Sequence, residues 1–221
     1  MGLLCALSAP ACTSAVPTRV YLRTDALRDG LRLFDAFRVE VVTDSEWAAQ
    51  VDSQPDLLVL ANVANFTQPQ VDALTRLVKS GVGLMIFPGE QVDPDNYNQL
   101  LYAGGQGLLP VAMDSIADEE LTGMVVEAGD QSPLAALGQL NPAVLERIKL
   151  RKFFQVKLPE DEAEGVRVLA RWNNASASPA VIEKAVGAGR VILWTVTADK
   201  AWSDWPTEPS YVLAVREAAK A

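Results

Sequence analysis

Lys79-Ser80-Gly81-Val82-Gly83-Leu84-Met85-Ile86-Phe87-Pro88-Gly89-Glu90-Gln91-Val92-Asp93 is the stretch that decides the fold. It starts as a helix end, turns through two residues, runs on as an apolar strand and finishes in a polar loop. Gly81 stands where a left-handed residue closes a helix. The strand, 82–87, is apolar throughout, without alternation, as expected of one covered on both faces. In a parallel α/β sheet the loop just past such a strand is where ligands and nucleophiles gather. Whether Pro88-Gly89-Glu90-Gln91 can do chemistry is therefore the functional question.

Working upstream, the helix ending at Ser80 is well signposted. Thr67 and Gln70 form a capping box, Phe66 and Val71 are placed as a hydrophobic staple, and Val71, Leu74, Leu77 and Val78 make one apolar stripe. Before it, residues 56–62 form a second continuous apolar strand ending in Ala61-Asn62. Residues 18–23 and 38–43 are strand candidates. Between them, 25–37 carries Leu27, Leu31 and Phe34 at helical spacing, and 44–51, with Trp47, suits a helical turn. Strand and helix in alternation with short links predict right-handed crossovers and a parallel sheet.

Downstream, Asp93-Pro94-Asp95-Asn96 predicts a turn and 97–102 a short helix, broken by Gly104-Gly105-Gln106-Gly107. Residues 112–141 are poorly patterned and peripheral, with a strand at 123–127 and a short helix near 133–140. Short strands are then predicted at 148–156, 166–172, 180–186 and 190–196. The last two are joined as a hairpin by Gly187-Ala188-Gly189, and 207–220 closes the chain as a helix. The expected organisation is an apolar leader over 1–17, poorly ordered or loosely packed, followed by one α/β domain over 18–221. That domain has a mainly parallel sheet with C-terminal antiparallel strands.

Composition narrows the chemistry. A net charge of −9 argues against nucleic acid, whose phosphates need clustered Lys and Arg. The basic run 147–152 fits a strand with one solvated face. Histidine is absent, which removes the commonest general base, the commonest metal ligand and every Ser-His or Cys-His pair. The two cysteines, Cys5 and Cys12, cannot make a four-thiolate metal site; whether they pair is open. No dinucleotide fingerprint or phosphate loop is present, so no cofactor is expected. No run is long and apolar enough to span a membrane.

The strand tips hold the candidate ligand-binding residues: Asn62 after one strand, Gly89, Glu90, Gln91 and Asp93 after the next, and Asp199 after the last. Glu90, Asp93 and Asp95 on one loop and Asp199 and Asp204 on another could hold a hard cation or act as a paired acid and base. The plainer reading is solvated loop carboxylates, with Asp93 starting an Asx turn. No nucleophile elbow is present at either early tip. Trp202 and Trp205, near Trp194 and Tyr211, are candidate interaction anchors, or else they fold back over the sheet end.

Two segments resemble a known family. The apolar strand ending in Ala61-Asn62, the helix, and the turn into Leu84-Met85-Ile86-Phe87-Pro88-Gly89 carry one part. Its continuation through Gln91-Val92-Asp93, Tyr97-Asn98 and Gly107-Leu108-Leu109-Pro110 carries more. Gly187-Ala188-Gly189-Arg190-Val191, Trp202-Ser203-Asp204-Trp205-Pro206 and Pro209-Ser210-Tyr211-Val212 complete it. Over residues 57–215 the chain resembles the class I glutamine-amidotransferase-like domain of large BatA-type bacterial membrane proteins, numerous in planctomycete-like bacteria. The resemblance implies a flavodoxin-like three-layer sandwich, usually without the amidotransferase triad. It implies a non-catalytic module for interaction or structural support in the cell envelope, with protein partners in a membrane-associated assembly. A small-ligand or divalent-cation site at the strand tips is the alternative, and a carboxylate-dependent hydrolase a third.

Overall fold

The structure, a computed structural model, describes residues 55–127, 129, 132–159 and 165–220, and the backbones of two strands, Leu3–Leu7 and Glu40–Thr43. The strand expected at 18–23, the helix at 25–37, the turn at 44–51 and Cys12 lie outside the described residues. In chain order the strands are β1 (Leu3–Leu7), β2 (Glu40–Thr43), β3 (Leu57–Ala61), β4 (Gly83–Phe87), β5 (Ala112–Thr122), β6 (Met124–Val126), β7 (Lys149–Lys157), β8 (Val166–Trp172), β9 (Pro179–Val186) and β10 (Gly189–Trp194). The helices are α1 (Gln68–Lys79), α2 (Pro94–Asn96, running into a π-helical turn over Tyr97–Tyr102), α3 (Ala135–Gly138), α4 (Pro142–Leu145) and α5 (Pro209–Lys220).

Eight strands form one mixed α/β sheet in the order β2-β1-β3-β4-β10-β9-β8-β6. Parallel pairing is confined to its centre, where β4 lies between β3 and β10. Every other neighbouring pair is antiparallel. The C-terminal antiparallel strands are where the sequence predicts them. The N-terminal side differs: Leu3-Leu4-Cys5-Ala6-Leu7 supplies β1, inserted antiparallel between β2 and β3. An apolar run without alternation fits a strand flanked on both sides as well as it fits a leader.

The opening stretch forms the element boundaries expected of it. Thr67 N–H donates to Gln70 Oε1 at 2.8 Å, and Phe66 and Val71 are both buried. At the far end of α1, Gly81 has φ +114°, its N–H reaches Val78 O, and Val82 N–H reaches Leu77 O. This paired closure is the Schellman arrangement. The β9–β10 turn packs directly on that helix end. A Cβ on Gly189 would fall 2.2 Å from Val78 O and 2.6 Å from Val82 O, so no larger residue fits.

Side-chain alternation along β10 assigns the two layers. Gly189 faces α1, whereas Trp194, five residues on, faces α5 through its ring contact with Tyr211. α1 buries Val71, Leu74 and Val78; α5 buries Tyr211, Ala214 and Val215. The centre of the molecule is therefore helix, sheet, helix.

β5 and β7 form a separate antiparallel ribbon. β5 runs for eleven residues where the sequence shows only poor patterning. It is largely exposed and interrupted by two register shifts, so neither face leaves an alternating trace.

Candidate functional site

The tips of β3, β4 and β10 lie side by side, and the polar residues there engage one another. Asn62 adopts φ +53°, a left-handed conformation that asparagine tolerates better than most residues. Its N–H extends the ladder to Phe87 O at 2.8 Å, and its Oδ1 accepts from Gln91 N–H at 3.0 Å. Gly89 lies directly over it, and a Cβ there would come within 2.5 Å of the Asn62 carboxamide. Asn62, Gly89 and Gln91 thus form one latch between neighbouring strand tips.

The next residues continue that closure. Asp93 N–H donates to Ala64 O at 3.0 Å, and the Asp93 carboxylate accepts from Asp95 N–H and Asn96 N–H, capping α2. Asn96 grips the Phe66 backbone with both ends of its carboxamide, at 2.8 and 3.1 Å. The Tyr97 hydroxyl reaches Val63 O at 2.7 Å. Asp93 is the Asx cap of the plainer reading. The sequence marks Asn96 only as a turn residue and Tyr97 only as a helix start, because neither carries a pattern that shows its long-range hydrogen bond.

One carboxylate of each loop is bound by a different cation of β7. Lys152 Nζ binds Glu90 Oε1 at 3.0 Å, and Arg151 binds Asp204 Oδ1 at 2.6 Å while also donating to Lys200 O. Backbone bonds fix β7 in place: Phe154 N–H to Thr195 O at 2.8 Å, Arg151 N–H to Trp202 O at 2.7 Å and Asp204 N–H to Lys149 O at 2.9 Å. The Glu90 hydrogen bond, and then its charge, raise the Lys152 pKa above the usual lysine range. Asp199 folds onto its own loop, its Oδ1 accepting from Ala201 N–H at 2.9 Å. Among the described residues no three His, Cys, Asp or Glu side chains gather as metal ligands would.

The indoles correct the interaction expectation for Trp202 and Trp205. Their relative exposures are 1% and 0%, so neither can anchor a partner. Phe87 and Trp194, the last residues of adjacent strands, stack at 5.1 Å; Trp205 packs on Trp194 and Tyr211 at 5.4 Å each; and Trp202 packs on Phe154 at 5.5 Å. Trp205 Nε1 donates to Ser210 Oγ and Trp172 Nε1 to Thr195 Oγ1. The loop folds back over the sheet end, as the second reading of those tryptophans has it.

No protein-family model and no curated protein sequence matches the chain. Solved structures do. A cytoplasmic protein from Salmonella typhimurium superposes with a TM-score of 0.65 at 11% identity, covering 99% of this chain and 95% of that one. A ThuA-like protein from Bacteroides uniformis gives 0.57 at 14%, covering 87% and 79%. A β-galactosidase from Rahnella sp. R3 gives 0.57 at 14%, covering 88% of this chain but 26% of the enzyme. The likeness is one of fold. At these identities it supports the mixed α/β assignment and carries no activity across. Among the described residues no helix is long and apolar enough to cross a membrane.

Proposed function

We propose that the chain is a non-catalytic, amidotransferase-like module of flavodoxin-like type, acting in interaction or structural support. The observation that carries this reading is the latch at the strand tips. Asn62, Gly89, Gln91 and Asp93 tie two loops together, and Glu90 and Asp204 are each clamped by a β7 cation. Groups kept for chemistry are usually strained or left ready for a substrate, at a cost in stability; these contribute stability to their own loops. The proposed setting, a cell-envelope assembly with protein partners, rests on the family resemblance alone.

The test compares stability with ligand response. Asn62→Ala and Glu90→Gln are melted alone and with Mg²⁺, Ca²⁺ or Mn²⁺, and the wild type is assayed on amide, ester and glycoside substrates. The expected result is a lower Tm for Asn62→Ala, no ion-dependent rise and no turnover. An ion-dependent rise in the wild type that disappears in Glu90→Gln would establish the cation-binding alternative. Turnover abolished by Glu90→Gln would establish the hydrolase.

A further inference from the structure

At the opposite end of β3, β4 and β10 lies an open cavity of about 610 Å³, within the range typical of small-molecule sites. Its floor is apolar: Leu57, Met85 and Ile192 are all nearly fully buried. One wall is the last turn of α5, where Ala218 and Ala219 leave space that larger residues would fill. The other carries Arg190, at the start of β10.

Arg190 is held from behind by a carboxylate inside the sheet. Glu183, whose side chain is 5% exposed, sits on β9 opposite Ile192. Its Oε1 is taken by two hydrogen bonds from Arg167. Its Oε2 lies 3.5 Å from Arg190 NH1 and, among the described residues, accepts no hydrogen bond. Arg190 is 33% exposed, and among the described residues its guanidinium makes no hydrogen bond. A guanidinium has five donors in a planar fork. Here that fork is oriented by its ion pair with Glu183 and partly desolvated, with donors to spare beside an apolar floor.

The charges around it narrow the ligand. Glu183 is matched by Arg167, and Lys220, on the rim, by Glu217 at 2.7 Å. That leaves Arg190 and the exposed Asp56, without an ion pair among the described residues, two strands away across β4, about 10 Å at ordinary strand spacing. One cation faced by one anion favours a monoanion over a dianion such as phosphate, and a flat carboxylate matches the fork bidentately. We infer that this cavity binds a small carboxylate with an apolar body, its carboxylate on Arg190 and its body on Leu57, Met85 and Ile192. The site is separate from the strand tips and goes beyond the function proposed for them.

Amide spectra of the ¹⁵N-labelled protein, titrated with hexanoate, hexylamine and inorganic phosphate, test this. Hexanoate is expected to shift Gly83, Gly189 and Ala219 saturably, while the other two probes leave them unmoved. Arg190→Leu, which leaves Glu183 its Arg167 partner, should weaken hexanoate by roughly tenfold or more. Ala219→Phe narrows the cavity from the helix side while keeping the arginine in the chain, and should abolish the shifts. No saturable shift, hexanoate shifts unchanged in both variants, an equal response to phosphate, or shifts confined to Asn62, Gly89 and Gln91 would each overturn the assignment.

Discussion

The same three strands end in two different ways. At the C-terminal tips of β3, β4 and β10, polar side chains close on backbone groups and on the cations of β7. At their N-terminal ends a cavity stays open and an arginine fork lines it, ion-paired to Glu183 at 3.5 Å but with no hydrogen bond among the described residues. Position in an α/β sheet makes the first end the expected site; the chemistry left unengaged is at the second. A strand tip is a favourable place for a site, but its side chains must also be at liberty to meet a ligand.

The sharpest way to break this comparison is through the aromatic cap. Trp205→Ala should lower unfolding stability by about 4 kcal/mol, because the indole is fully buried against Trp194 and Tyr211. Urea denaturation measures it, and a loss below about 1 kcal/mol would show that the tips are not built around that ring. At the open end, Gly189→Ala should cost about 3 kcal/mol, since its Cβ would strike the Val78 and Val82 carbonyl oxygens rather than a movable side chain.

Asn62→Ala should cost about 2 kcal/mol, combining a lost hydrogen bond with a left-handed alanine. Asn62→Gly removes the bond but relieves the backbone, and should cost less. If the two variants are equal, the latch rests on the hydrogen bond alone.

The smallest effects are in the alkaline pH profile, and they have opposite signs. Lys152 is held above the usual lysine range by Glu90. Its contribution is complete below the ordinary value and fades as pH rises through the folded one. Lys184 donates to Gly105 O and Gly107 O and is pushed below the usual 10.5 by burial. Between its folded value and 10.5 the unfolded chain binds more protons, so this residue makes stability climb with pH. Denaturant midpoints across the alkaline range should lose the decline in Lys152→Met and lose the climb in Lys184→Met.

Much of the framework was legible in the sequence because it is local. The capping pair Thr67 and Gln70, the Gly81 closure, the apolar runs of β3 and β4 and the Gly187-Ala188 turn all depend on residues a few positions apart. β5 was not legible, because exposure and register shifts erase alternation. β1 was not, because an apolar pentapeptide fits a leader and an interior strand equally well.

The sequence by itself determined that no imidazole exists to serve the strand tips, that no four-thiolate metal site can form, and which runs must be buried. Only the tertiary structure decided what Glu90, Asp204 and the tryptophans do, since their partners, Lys152, Arg151 and the aromatic rings of other elements, are brought in by the fold. Tertiary structure also set Arg190 beside a cavity: the glutamate behind it lies just across the predicted hairpin, but its burial and the helix end of alanines opposite are decided only by the fold. Pairing across distance depends on sheet order, and sheet order is what local patterning leaves open.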